Sequence, residues 1–412
     1  MIKRISIRQL RRGMYVHEFC GSWMDHPFWR SRFLLRNDAE LQRIISGGVQ
    51  ELWIDTAKGL DTESDVAGGS EHREQDGAEQ IERELEFAAS LPMEYDLGPS
   101  EGTALVQAQA LYRRSVPKIK ALFGEARLGK AIRVDQCTAL LEEISESVLN
   151  NPGALINVAR LKTRDEYTYM HSIAVCALMI SLGRQLGLDT SQLREAGLAG
   201  MLHDLGKAFM PRSVLMKPGK LTDAEFAQMK SHPERGHALL KECGSVGPIV
   251  LDVCLHHHEK VDGSGYPHGL KGNEISLFAK MGAVCDVYDA ITSERPYKKG
   301  WDPGESLRRM AQWKGHFEQR VFQAFVKTVG IYPVGSLVRL HSGRLAVVMS
   351  QDARSLLAPK VKVFFNTASN KRIEPQEIEL ASHWCNDKVA GCESPDNWNF
   401  TDMDLLWGAP RT

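Results

Sequence analysis

Helical periodicity begins at Thr103 and persists for roughly two hundred residues, and this feature limits the fold of the chain more than any other. Apolar residues return at three- and four-residue spacing in Thr103 to Phe123, Asp135 to Leu149, Asp165 to Leu186, Thr190 to Leu202, Thr222 to Leu240, Pro248 to His257, Ile275 to Ile291 and Gly304 to Trp313. Each stripe must be hidden, and the only surfaces available in such a stretch are other stripes, so the centre of the chain predicts an all-α bundle. Asp189-Thr190 and Thr222-Asp223 supply helix starts, and Gly187 and Gly244 supply stops.

The flanks follow another rhythm. From Ile2 to Gly59, short β-like runs (Ile5 to Ile7, Met14 to His17, Glu51 to Ile54) surround one helical pattern from Asp38 to Ile45, which predicts a small α/β or β-rich module. Its aromatics between Trp23 and Trp29 are expected to close a small core. Leu60 to Gly102 is rich in Glu, Asp, Gly and Ser and reads as a linker, with a charged helical stretch near Glu79 to Ala89. After Pro333 come β-branched runs at Leu337 to Leu340, Leu345 to Val348 and Val361 to Phe365, the first two joined by a hairpin signal at Ser342-Gly343, and the tail from Asn386 reads as loop. The expected fold is therefore mainly α, a helical bundle with a small α/β or β-rich N-terminal domain and a short β-rich C-terminal segment. The expected division is 1–65 for the first module, 66–102 linker, 103–153 connecting helices, 154–330 bundle and 331–412 extension.

A length of 412 residues also exceeds one ordinary core. A net charge of -1 excludes a chain that grips a nucleic-acid polymer by bulk electrostatics, so any anionic ligand must be held locally. The eight cysteines show no Cys-x-x-Cys pair, which fits a reducing cytoplasm. The basic start lacks the apolar core of a signal peptide, and the longest apolar run, Ile173 to Leu182, is about half of a bilayer-spanning helix, so no membrane association is expected.

Between His203 and Asp289 the chain concentrates groups that bind borderline metals: His203-Asp204, Lys207, His232-Pro233, His256-His257-His258-Glu259, Asp262-Gly263-Ser264-Gly265-Tyr266-Pro267 and Asp286. A lone histidine is more often a satisfied core or surface group than a ligand. The set, joined by His171 on the preceding helical pattern, points instead to donors delivered by several helices to one point. His203-Asp204 is read here as lying on a helix, with the carboxylate able to bridge two cations.

This composite motif closely resembles the HD-GYP family of bacterial cyclic di-GMP phosphodiesterases, within the HD metallohydrolases, over about Ala154 to Val329. Gly13-Met14-Tyr15-Val16 and Pro27-Phe28 are similar to an uncharacterised domain that often precedes this module. The resemblance implies that His171, His203, Asp204 and Asp286 are the ligands shared by HD hydrolases and that His232, His257 and His258 bring in a second metal, His256 being a bystander. It implies two divalent ions, iron or manganese, because the position of the third-metal glutamate is Tyr167 and Glu166 is rotated off by about 100°. It implies catalytic roles for Asp204, as the bridge, and Lys207, and substrate contacts from Lys207, Tyr266, Asp289, Arg295 and Lys298. The implied partners are cyclic di-GMP, a second copy of the chain, and a diguanylate cyclase or other signalling protein engaged by the Gly265-Tyr266-Pro267 loop.

Two metals about 3.5 to 4 Å apart can share one hydroxide and present it to phosphorus, and the resemblance implies that the phosphodiester is cyclic di-GMP, hydrolysed to linear pGpG and onward to GMP. Two other functions fit the same residues: a slow-turnover cyclic di-GMP receptor signalling through the N-terminal domain, and an HD hydrolase for another nucleotide. Cys254 and Cys285 are expected to be buried small hydrophobes.

Overall fold

The computed structural model describes residues 2–19, 33–46, 51–62, 85, 101–130, 134–151, 153–155, 167–217, 221–293, 300–352, 355–398, 400 and 402–406. Its contacts divide the chain into two compact units, 1–78 with 211–229, and 79–210 with 230–412. The Trp23 to Trp29 aromatics and most of the acidic linker lie outside the described residues.

In the first unit, strands β1 (Ile2–Ser6), β2 (Tyr15–Phe19), β3 (Phe33–Leu34) and β4 (Glu51–Asp55) form an antiparallel sheet in the order β1-β4-β2-β3, with helix Asp38–Ser46 between β3 and β4 in sequence. Val16, Leu52, Ile54, Met14, Leu35 and Ile44 are fully buried and make its core. Three of the four strands and the helix match the expectation. The two-residue β3 is too short to show any periodicity.

In the second unit, helices Glu101–Arg127, Val134–Asn150, Tyr167–Gln185, Thr190–Leu202, His232–Cys243, Pro248–His256, Leu277–Thr292, Pro303–Gln312 and Gln319–Val329 make the bundle. Ile173 to Leu182 is buried on every side, so this largely apolar run is the central helix of the bundle, and among the described residues no helix is long and apolar enough to cross a membrane. Asp189 starts the next helix with a reciprocal capping box to Gln192, and Gly187 and Gly244 adopt positive φ after the helices they end.

Two expectations are corrected here. Thr222 to Leu240 is two helices, Asp223–Met229 and His232–Cys243, because Pro233 has no N–H to give and is accepted only in a first turn. Helix Gln319–Val329 follows the last one expected, started by the Glu318 carboxylate accepting from the N–H groups of Arg320 and Val321.

The C-terminal strands β5 (Leu337–Leu340), β6 (Arg344–Asp352), β7 (Ser355–Asn366), β8 (Lys371–Glu379) and β9 (Val389–Cys392) form one antiparallel sheet in the order β8-β7-β6-β5-β9. Gly343, at φ 75°, turns the expected hairpin. The tail read as loop contains β9, which pairs with β5, and helix Met403–Leu406, whose flank packs on Leu337, Phe364 and Phe365. Val-Ala-Gly-Cys has too little alternation to announce a strand, and its partner supplies the order.

One glycine decides how close the site-bearing segments come. A Cβ on Gly206 would lie 1.8 Å from the carbonyl oxygen of His232 and 2.7 Å from the backbone nitrogen of Gly236. Gly206→Ala must therefore push the turn after Asp204 away from helix His232–Cys243. The expected result is a loss of about 1 to 3 kcal/mol, the usual range for overpacking, together with a fall in bound metal per chain. Thermal unfolding and elemental analysis of the variant check both.

Candidate metal centre

Each donor stands where an element ends or where a buried face points inward. His171 is on the central helix and Asp286 on helix Leu277–Thr292, which starts at the Ser276 hydroxyl capping the Ala279 N–H. His232 opens its helix, and His257 and His258 directly follow Pro248–His256. His203-Asp204 is not inside a helix as expected: it follows Thr190–Leu202, and Asp204 leads into the 3-10 turn Leu205–Phe209. With three residues per turn, positions i and i+3 eclipse one another, so Lys207 stands over Asp204 and its ammonium pairs with Asp204 Oδ2.

Two sets of donors converge, and Asp204 belongs to both. His171, His203, Asp204 and Asp286 place one donor atom each within 4.8 Å of one another, as do Asp204, His232, His257 and His258, and all seven residues are buried. His171 Nε2 lies 2.9 Å from Asp286 Oδ1 and 3.5 Å from Asp204 Oδ2. On the other side His232 Nε2 lies 3.2 Å from Asp204 Oδ1 and 3.3 Å from His257 Nε2. Asp286 spans both sets as well, with Oδ2 at 3.7 Å from His258 Nδ1.

The surroundings aim the ring nitrogens inward. His171 Nδ1 donates to Asp289 Oδ2 at 2.6 Å, His203 Nδ1 to the Gly200 carbonyl at 2.8 Å, and His257 Nδ1 to the Val253 carbonyl at 3.0 Å. Each bond fixes the tautomer and leaves the Nε2 lone pair facing the centre. His203 Nε2, Asp204 Oδ1 and His258 Nδ1 are buried yet make no hydrogen bond, and a buried polar atom without one is costly unless something else satisfies it. These three stand within the donor sets, where a cation would satisfy them.

Electrostatics agree. Burial would raise Asp204, but Lys207 and His203 hold its carboxyl well below the usual range, and Asp286 is held down against burial by His171 and His203. Burial would lower His203, yet Asp204 and Asp286 push it up to about 10, while burial and then the charges of His203 and His232 push His257 down to about 3. The cluster thus attracts positive charge at one end and keeps an uncharged imidazole at the other, which is the donor chemistry of a mixed nitrogen and oxygen metal site.

The glycine-rich loop closes over His258. The Tyr266 ring stacks on the His258 ring with centroids 4.6 Å apart, and its phenol is pushed well above its ordinary pKa by burial first and then by the charges of Asp286 and Asp204. Glu259, whose role the sequence did not reveal, accepts from the N–H groups of His268, Gly269 and Leu270 at 2.7, 3.1 and 3.0 Å and so holds the loop's return. Only glycine fits at 265, where a Cβ would lie 2.4 Å from the Lys260 nitrogen.

One expected substrate contact is corrected: Asp289 is 2% exposed, and its carboxylate is taken up by His171 Nδ1 and the Ser293 hydroxyl, so it supports a candidate ligand from behind. Arg295 and Lys298 lie outside the described residues, as does the Tyr167 side chain. His256 turns away from both donor sets toward Asp252 and His268. Cys254 and Cys285 are buried, Cys254 donating to the His203 carbonyl. Arg127 reaches from helix Glu101–Arg127 to the Ala208 carbonyl at 3.1 Å, a contact that no local sequence signal announced.

Beside the loop, the His316 ring stacks on Trp313 and Phe317, is 6% exposed, and its pKa is lowered to about 3 by burial and then by Lys260. The unfolded chain takes up this proton near 6.5 and the folded chain does not, so the stability His316 contributes is complete above pH 6.5 and is lost as pH falls toward about 3. His316→Phe keeps the stack and removes the titration. Its unfolding free energy, measured by denaturant titration, should fall less between pH 7 and 5 than that of the wild type, by up to ~1.4 kcal/mol per pH unit in this window.

The amino-acid sequence matches a domain of unknown function (DUF3391) over residues 2–137 and an HD domain over residues 146–321. It is 51% identical over 413 residues to the cyclic di-GMP phosphodiesterase PA4108 of Pseudomonas aeruginosa, covering 99% of this chain and 96% of that protein. It is 42% identical to the cyclic di-GMP phosphodiesterase response regulator RpfG of Xanthomonas campestris over 48% of this chain and 53% of that one. It is 32% identical to the 3'3'-cGAMP-specific phosphodiesterase 1 of Vibrio cholerae over 44% of this chain and 42% of that one. Full-length similarity at this level, with the HD match falling on the segment that carries both donor sets, means that the chain belongs to the HD-GYP family of HD-domain phosphodiesterases.

Proposed function

We propose that this enzyme hydrolyses cyclic di-GMP, opening the ring to linear pGpG and carrying it on to GMP, with two divalent cations, iron or manganese, as cofactors. The observation that carries the reading is the Asp204 carboxylate, which two donor sets share. The substrate is suggested by the relative that matches nearly the whole chain. Divalent ions bound there would supply Lewis acidity toward the phosphate and lower the pKa of a water molecule.

The protein's own residues do the rest. His171, His203 and Asp286 would hold one ion, His232, His257 and His258 the other, and Asp204 would tie the pair together. Asp289 keeps the His171 lone pair pointed at its ion, as the Gly200 and Val253 carbonyls do for His203 and His257. Lys207, 23% exposed along its side chain beside a wholly buried Asp204, offers its ammonium to the phosphate and stabilises the charge that builds there. Tyr266, kept protonated by burial, walls the pocket at His258 and presents a donor to the substrate.

One further reading has a definite ground: the 3'3'-cGAMP-specific relative favours a second cyclic dinucleotide. Protein purified without oxygen and loaded with iron or manganese should turn over cyclic di-GMP faster than 3'3'-cGAMP, with pGpG preceding GMP on chromatography. Tight binding without product would make it a receptor, and faster cleavage of 3'3'-cGAMP would reassign the substrate.

A further inference from the structure

We propose that His256 and His268 form a second, peripheral metal site that takes one divalent cation of tetragonal preference, of the nickel or copper class, outside the catalytic centre. His256 Nε2 and His268 Nδ1 face one another at 3.0 Å. Two imidazole nitrogens bound at about 2.1 Å and at right angles to each other are about 3.0 Å apart, whereas a tetrahedral pair would need about 3.4 Å. The separation therefore fits neighbouring corners of a square or octahedron.

The pair is built as ligands are built. His256 Nδ1 donates to Asp252 Oδ1 at 2.7 Å, and Asp252 Oδ2 in turn accepts from the Ser276 hydroxyl, so a carboxylate fixes the tautomer and leaves Nε2 with its lone pair toward His268. His268 is held through its backbone N–H by Glu259. An ion here would tie the end of helix Pro248–His256 to the loop that carries Tyr266, while His257 and His258 point the opposite way into the catalytic sets.

The test uses manganese-loaded holoenzyme, titrated with nickel, desalted and analysed for both metals; the starting manganese count reports separately on the two-ion reading above. The expected result is one additional nickel per chain in the wild type with manganese retained, and none in His268→Ala, which keeps the backbone bond to Glu259. His256→Ala should lose it too. No additional nickel, the same uptake in His268→Ala, or nickel that enters only by displacing manganese would overturn the site and leave the pair as a hydrogen bond between two imidazoles.

Discussion

Asp204→Ala is expected to abolish turnover and strip the protein of metal while its helices remain. This carboxylate belongs to both donor sets: Oδ2 lies 3.5 Å from both His171 Nε2 and His203 Nε2, and Oδ1 lies 3.2 and 3.7 Å from the Nε2 atoms of His232 and His257. Losing a bridging ligand weakens both ions at once, and forfeiting about 4 kcal/mol of Lewis-acid stabilisation corresponds to ~10³-fold in rate. Asp204 follows a helix and caps nothing, since its side chain makes no cap bond at the 3-10 turn, so circular dichroism should change little. Elemental analysis and steady-state kinetics on the same preparation decide the matter. A variant that keeps both metal and full activity would remove the shared carboxylate from the mechanism.

Lys207→Met should behave differently, keeping its metal and slowing the chemistry. The substitution leaves a stem of similar length but removes the ammonium, and a single charge placed where a phosphate develops charge is worth roughly 10²- to 10³-fold in kcat. The turn itself should survive, because it is closed by the backbone bonds from the Lys207 N–H to the Asp204 carbonyl and from the Met210 N–H to the Lys207 carbonyl. Metal content equal to wild type with kcat reduced is the expected pair of readings. Unchanged kinetics would place Lys207 outside the reaction, as a counter-ion to Asp204 only. Loss of metal along with rate would mean that its charge holds Asp204 in place.

These residues also show how far a reading of the chain can go. The bundle was legible because apolar spacing reports helix faces directly, and Asp189, Gly187 and Gly244 marked helix ends by their own backbone chemistry. The donors were legible as a set because so many imidazoles and carboxylates seldom fall in one segment by chance. Less legible was anything that depends on where a side chain finds its partner. Asp289 looks like a substrate contact when placed three residues after Asp286, yet one helical turn on the same buried face brings it to the back of His171, a residue 118 positions away. His256 looked like padding beside His257, and only the fold reveals Asp252 and His268 on either side of it.

By itself, the amino-acid sequence determined that the middle of this chain is a helical bundle and which residues bring metal-binding donors into it, because periodicity and donor chemistry are local properties. The tertiary structure alone decided how closely the two sets approach Asp204, that Lys207 stands over it on a 3-10 turn, and that a glycine at 206 must let the turn touch the His232 carbonyl. Those outcomes depend on distances of a few ångströms between segments far apart along the chain, and such distances are set by how buried faces pack, for which no single stretch of residues carries the information.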